Sequence, residues 1–275
     1  MPLIAMPREM GSLGKDVAST IAARLGKPVV HHEIIGHLAN KMRLRKSHVL
    51  RFLDGKASIW EQFTTDKTSL SIYTADETLA LAESDNVSVI RGWGSAHLLR
   101  PIQHVICVRV CAPMKVRVQR MMERLNSDDL GKVERLVDQN DESARAVMRR
   151  HFHIDTRDIN EYDMGFNTDR VSVAQCVDEI VDVVKSVQFA ETDASRATLR
   201  DIALAHHVRA ALRTHGSTSH CSVRVTAEGG RVELRGTVDQ IEQSEACSDI
   251  AKRIKGVRVI ENHLHVAETG RSGHG

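Results

Sequence analysis

The residues best suited to chemistry sit near the start of this 275-residue chain. In PREMGSLGKDVAST, residues 7–20, Gly11 and Gly14 precede Lys15 and Asp16, and a helical pattern opens there. Glycine permits positive φ and lets the backbone approach an anion closely. The front of a helix offers N–H groups with no intrahelical partner, together with the positive end of the helix dipole. Lys15 adds a mobile ammonium. Gly11, Ser12, Leu13, Gly14, Lys15 and Asp16 could therefore cradle a polyphosphate. The full phosphate-loop signature, G-x-x-x-x-G-K-[ST], is only half present. Glu9 fills the slot of its first glycine and Asp16 the slot of its hydroxyl. A strand–turn–helix connection without a ligand would use the same glycines, so this stretch alone leaves both readings open.

Arginines supply a second set of candidates. Phosphoryl transfer asks the protein for positioned positive charge and exclusion of water rather than covalent chemistry. Arg117, Arg120 and Arg124 recur at helical spacing after Pro113. Asp138, Asp141, Arg145 and Arg149 follow at steps of three, four and four, which share one helix face. Arg145 and Arg149 are the candidates for closing over a nucleotide, and Arg117 and Arg120 for the acceptor. The alternative is a solvated helix laced with ion pairs, each contributing about 0.3–0.5 kcal/mol. In NTDR, Asn167, Thr168 and Asp169 could cap the helix that follows, as could Ser172.

These residues need a frame to position them. MPLIAM and VSVIRG read as buried strands, HVICVRVCAP as a third and YDMGFNTDR as a short fourth, and helical patterns separate them. Such alternation predicts an α/β fold with a parallel sheet covered by helices. The pattern changes near residue 190. AETDASRAT is small and polar, and an α-β-β-α-β unit follows, built from a helix over 199–212, two alternating strands around Gly229-Gly230, a second helix and a last strand. The expected divisions are a first domain over 1–188, a linker over 189–196, a small α+β domain over 197–267 and a disordered tail over 268–275.

Bulk properties exclude several classes. The composition is globular, with 27% charged residues, and the net charge of +2 is too near balance for a general nucleic-acid binder. No specific nucleic-acid partner is expected. Cys107, Cys111, Cys176, Cys221 and Cys247 are odd in number and form no C-x-x-C pair, which fits reduced thiols. No apolar run is long enough to span a bilayer, and no secretory signal opens the chain. A cytoplasmic location is expected. His263 and His265 share a strand face, but nothing supplies companion ligands, so no metal-ligating residue is assigned. A homo-oligomer is left open.

REMGSLGKDVASTIAARLGKPV resembles the opening of the cytidylate-kinase-like family of P-loop proteins, in which a Gly-Ser-Gly-Gly-Arg-Glu type of loop replaces the standard motif. The resemblance continues through VSVIRGWGSAHLL, VRVCAPMKVRVQRMMER, DQNDESARAVMRRHF and YDMGFNTDRVSVAQCVDEI, in family order over residues 1–187. It implies a nucleoside-monophosphate-kinase-like sheet, ATP and Mg2+ as cofactors, and Lys15 with Arg145 and Arg149 as catalytic groups. It also places Asn167 and Asp169 near the donor base, and Arg91 with Trp93 near the acceptor. Trp93 stands where the family has the arginine of Gly-Arg-Gly, and His31 and His32 stand where an aspartate is common. GGRVELRGTVDQIEQSEACSDIAKRIKGVRVIENHLHV resembles the BON domain, which implies docking to a macromolecule or a phospholipid surface. The implied activity is transfer of the ATP γ-phosphoryl group to a nucleoside monophosphate, such as CMP, or to another small acceptor. The competing reading is a non-catalytic ATP sensor that signals through the BON-like domain.

Overall fold

The computed structural model describes residues 2–7, 9–30, 38–42, 44, 46, 47, 49, 67–92, 94–152 and 154–267. His31, His32, Trp93 and the tail from residue 268 lie outside the described residues. The chain forms two compact units, Met1–Arg196 and Ala197–Gly275.

In the first unit, short apolar runs become strands and amphipathic runs cover them. The strands are β1 (Leu3–Met6), β2 (Val29–Val30), β3 (Val89–Arg91), β4 (Val105–Cys111) and β5 (Met164–Asn167). The helices of this unit include α1 (Gly14–Leu25), α2 (Lys67–Glu83), α3 (Ser95–Leu99), α4 (Met114–Leu125), α5 (Leu130–Phe152) and α6 (Val173–Val184). All strand pairs are parallel, in the order β2-β3-β1-β4-β5. Ile4 stands opposite Val89 on one side and Ile106 on the other. Ile4, Met6, Val17, Ile21, Val89, Ile106, Cys176 and Ile180 form one buried core. The expected parallel α/β sheet is thus present.

This topology decides where a ligand can bind. β1 lies between β3 and β4: the chain runs first to β2 and β3 on one side of it, then crosses to β4 and β5 on the other. In open parallel sheets a crevice forms outside the carboxyl ends of the strands at such a reversal. The loop from Met6 to Gly14 leaves β1 there, and the ends of β3, β4 and β5 surround it. Helix boundaries follow local rules. Gly26 ends α1 with φ 67°, and Asn126 ends α4 with φ 47°. Ser172 begins α6 with a capping box to Gln175, which assigns the cap among the residues considered.

The second unit contains most of α7 (Asp193–Thr214), then β6 (Ser222–Glu228), β7 (Arg231–Val238), α8 (Ile241–Lys252) and β8 (Val259–Val266). The strand order is β6-β7-β8, antiparallel then parallel. Val232, Leu234 and Val238 point inward at period two and are essentially buried. Gly236 has φ 140°, and a Cβ there would meet the Ser222 carbonyl oxygen at 2.2 Å, so only glycine fits. The stretch read from sequence as a linker, 189–196, holds the end of a 3-10 turn (Val187–Phe189) and the first residues of α7. The helix therefore begins six residues before the pattern at 199 predicts.

Candidate phosphate-binding loop and cleft

The loop after β1 turns sharply on two positive-φ residues, Gly11 at 77° and Leu13 at 61°. Leu13 is the N-cap of α1 and offers no side-chain cap. Ser12 shapes the turn from inside: its buried hydroxyl donates to the Glu9 carbonyl at 2.9 Å and accepts from the Gly14 N–H at 3.3 Å. The N–H groups of Asp16 and Val17 both return to the Leu13 carbonyl. Among the described residues, the N–H groups of Leu13 and Lys15 find no protein acceptor. Lys15 and Asp16 are exposed beside them. The front of α1 therefore carries unpaired donors, a dipole end and an ammonium, which is the arrangement that holds a phosphate. Mg2+ takes oxygen ligands and keeps several waters, and the exposed Asp16 carboxylate is chemically suited to it.

The arginines after Pro113 bond the loop itself. The Arg117 Nε donates to the Ala112 carbonyl at 3.0 Å, and one terminal nitrogen donates to the Met10 carbonyl at 3.2 Å. The other donates to Asp141 at 2.7 Å, in a pair that is nearly closed to solvent. Arg120 donates to the Gly11 carbonyl at 3.3 Å, and to the hydroxyl and carbonyl of Thr168 at 2.9 and 2.8 Å. Thr168 in turn donates to the Ser12 carbonyl at 2.9 Å. Arg117, Arg120 and Thr168 thus tether the carbonyls of Met10, Gly11 and Ser12 to α4 and to the end of β5. Thr168 went unrecognised in the sequence because a threonine after a strand reads first as a cap.

Beside the loop lies a cleft whose polar lining includes Glu9, Arg109, Asn140, Arg145, Arg157 and Tyr162. Arg145 reaches it from α5 while pairing with Glu142 at 2.6 Å. Arg149 is exposed one turn further along the same helix. Arg109 comes from β4, donates to the Thr156 carbonyl at 2.6 Å and lies over the Tyr162 ring at 5.8 Å. Burial pushes the Tyr162 hydroxyl up to about 12, so it stays protonated and donates to the Thr156 carbonyl. Arg109 carried a visible signal, a charge inside the otherwise apolar strand VICVRVC, which sequence reasoning did not use.

Other candidates lie apart from the cleft lining. Arg91 is buried at the end of β3. Asn167 accepts from the Asp169 N–H at 3.0 Å, forming a turn at the exposed end of β5. In the second unit Glu233, Glu261 and His263 gather within 4.8 Å on the open face of the sheet. Arg235 and Arg231 already pair with the two carboxylates, so the cluster is a cross-strand ion network. Among the described residues no helix is long and apolar enough to cross a membrane.

Comparison with known proteins agrees with this geometry. A sequence model of the cytidylate kinase-like family matches residues 3–170, and one of the BON domain matches residues 200–268. None of the curated proteins compared matches the chain. Among solved structures, an uncharacterised protein from Eubacterium ventriosum is similar at 19% identity and a TM-score of 0.53, over 66% of this chain and 97% of that one. Shikimate kinase from Acinetobacter baumannii, in complex with shikimate, is 13% identical at a TM-score of 0.40, over 67% of this chain and 93% of that one. The YorR protein of Bacillus subtilis, in complex with phosphorylated GDP, is 14% identical at 0.41, over 69% and 99%. At these identities the first of the three speaks to fold alone.

Proposed function

The chain belongs to the cytidylate kinase-like family, and we propose that it is a phosphotransferase that moves the γ-phosphoryl group of ATP to a small acceptor. The observation that carries this reading is the front of α1, where the N–H groups of Leu13 and Lys15 are unclaimed among the described residues. The loop would hold the donor phosphates on these groups. Lys15 would neutralise charge developing at the β,γ bridge, where preorganised donors are worth most. Mg2+, held by Asp16 directly or through water, supplies charge neutralisation at the phosphates when bound. Arg145 lines the adjoining cleft and Arg149 lies a turn away, so a small movement of α5 would bring both toward the transferred group. Asn167 and Asp169 would flank the donor base, and Arg91 and Trp93 the acceptor.

Nucleoside monophosphates, CMP among them, and small hydroxylated metabolites are the acceptors to screen. The BON domain carries no evident catalytic group and would dock a macromolecule or a phospholipid surface. The test is an ADP-release screen over nucleoside monophosphates and small hydroxylated metabolites, run beside a Lys15→Ala variant. ATP-dependent turnover that collapses in the variant supports the reading. Absence of ATP binding by the full chain would end it.

A further inference from the structure

One cleft atom lacks a partner. Among the described residues, the Oε2 of Glu9 is buried and accepts no hydrogen bond. A buried acceptor left in that state costs roughly 1–3 kcal/mol, and more when it is charged. Burial raises the Glu9 carboxyl above its ordinary value, while Arg117 and Arg109 oppose the rise. The groups facing it are Arg117 from α4, Arg109 and Cys111 from β4, Asp141 and Arg145 from α5, and Tyr162 from the segment before β5. None of these donates to Oε2. Arg117 is tied to Asp141, Arg109 to Thr156 and Arg145 to Glu142.

Position gives this atom a chemical meaning. Glu9 fills the first slot of the phosphate loop, whose lysine reaches the β- and γ-phosphates. The Ser12 hydroxyl donates to the Glu9 carbonyl, so Glu9 belongs to that loop, and it also lines the adjoining cleft; under the phosphotransferase reading this sets it beside the donor phosphates. A ligand that satisfies Oε2 must bring a hydrogen-bond donor. The reacting oxygen of a fully ionised phosphate brings none, and such a phosphate would set two anions against each other in a buried place. A hydroxyl brings a donor, and it is also the acceptor type that needs a base. A carboxylate whose affinity for protons is raised by burial is suited to that work.

Building on the phosphotransferase reading, we infer that the acceptor is a small hydroxylated acid and that Glu9 takes the proton from its reacting hydroxyl. Arg109, in the same cleft, holds its anionic group. The hydroxyl oxygen forms the new bond to the γ-phosphorus of ATP. The bond from that phosphorus to the β,γ-bridging oxygen breaks, and its electron pair leaves on ADP. The hydroxyl proton passes to the Glu9 carboxylate and is later released to solvent. The products are ADP and a phosphate monoester.

The test uses the full chain, its Glu9→Gln and Glu9→Asp variants, and three readouts. ATP binding is measured by calorimetry. Turnover is measured by ADP release with glycerate and cyclohexane-type hydroxy acids on one side and CMP on the other. The pH profile of kcat/KM is then followed with the best acceptor. The expected result is turnover with a hydroxy acid and none with CMP. Glu9→Gln should lose at least ~100-fold in kcat, with KM and ATP affinity little changed, and should lose the acidic limb of the profile. If Glu9→Gln also weakens ATP binding, Glu9→Asp should retain that limb with its midpoint moved. Three results overturn the inference while ATP still binds: no hydroxy acid turns over, CDP forms from CMP, or Glu9→Gln keeps kcat within a few-fold. Loss of ATP binding by the unaltered chain instead removes the phosphotransferase reading on which the inference stands.

Discussion

Gly11 lies directly against the backbone of Arg117. A Cβ added to Gly11 would sit 2.8 Å from the Arg117 carbonyl oxygen and 2.9 Å from its Cβ. The first glycine of the loop is therefore explained by the helix beneath it as much as by an anion above it. Its φ of 77° adds a second reason, since an L side chain is strained there.

Gly11→Ala should then act through both effects. Left-handed strain contributes ~1–2 kcal/mol and the overlap with α4 ~1–3 kcal/mol. Urea unfolding of the first unit should show a loss of ~2–5 kcal/mol, with ATP affinity reduced alongside it. An Ala variant of unchanged stability would mean that α4 and the loop do not pack as described.

The Arg117–Asp141 pair should matter more than any exposed ion pair on the molecule. It is 2.7 Å long and almost closed to solvent, and Arg117 also holds two backbone carbonyls. Replacing Arg117 by Met leaves Asp141 buried without its partner, a change that costs about 3–5 kcal/mol in comparable pairs. Arg117→Lys should rescue little, because an ammonium cannot reproduce the forked contacts. By contrast, Lys185→Ala, which breaks an exposed pair with Asp182, should leave the unfolding midpoint almost unmoved.

Much of this frame was legible because it rests on short-range rules. Leu3–Met6 and Val105–Cys111 are largely apolar strands bounded by turns, Met164–Asn167 is a shorter, half-exposed one, and all three lie where the pattern puts them. The loop itself was legible from Gly11, Gly14 and Lys15. The role of Arg117 and Arg120 was not, because helical spacing shows that arginines share a face but not what that face meets. Arg120 meets Thr168, 48 residues away, and Arg117 meets Met10, 107 residues away. Glu9 shows the same limit. It was visible as a missing glycine, but its burial depends on strands and helices that close around it from distant segments. The start of α7 at Asp193 was missed because a small, polar run has no hydrophobic period to announce it.

His104 gives the fold an acid sensitivity. It is buried at the edge of β4, with Nδ1 2.7 Å from the Ser195 hydroxyl. Burial lowers its affinity for protons below the ordinary imidazole value, against the pull of Glu191. The folded chain therefore keeps it neutral while the unfolded chain protonates it near pH ~6.5. The unfolded state binds the extra proton, so stability falls as pH drops through that value and goes on falling until the folded imidazole also titrates. Thermal midpoints should be flat above pH ~7 and decline below ~6.5, and His104→Gln should flatten that decline. An identical slope in the variant would assign the acid sensitivity elsewhere.

Lys15→Ala separates binding from stability most cleanly. Lys15 is exposed and its side chain makes no hydrogen bond or ion pair among the described residues, so truncating it takes no such contact from the folded chain. It should leave the unfolding midpoint within ~0.5 kcal/mol of the parent. A charge-assisted contact to phosphate is a different matter, since losing one lowers affinity by at least ~10-fold, equivalent to ~1.4 kcal/mol. Calorimetric titration with ATP should therefore show a much weaker variant of unchanged stability. Lys15→Arg should recover part of the affinity, because charge is restored with a different geometry. If ATP binds the alanine variant as tightly as the parent, the ammonium has no place in the phosphate site. The unpaired N–H groups of Leu13 and Lys15 would then have to account for all of the binding.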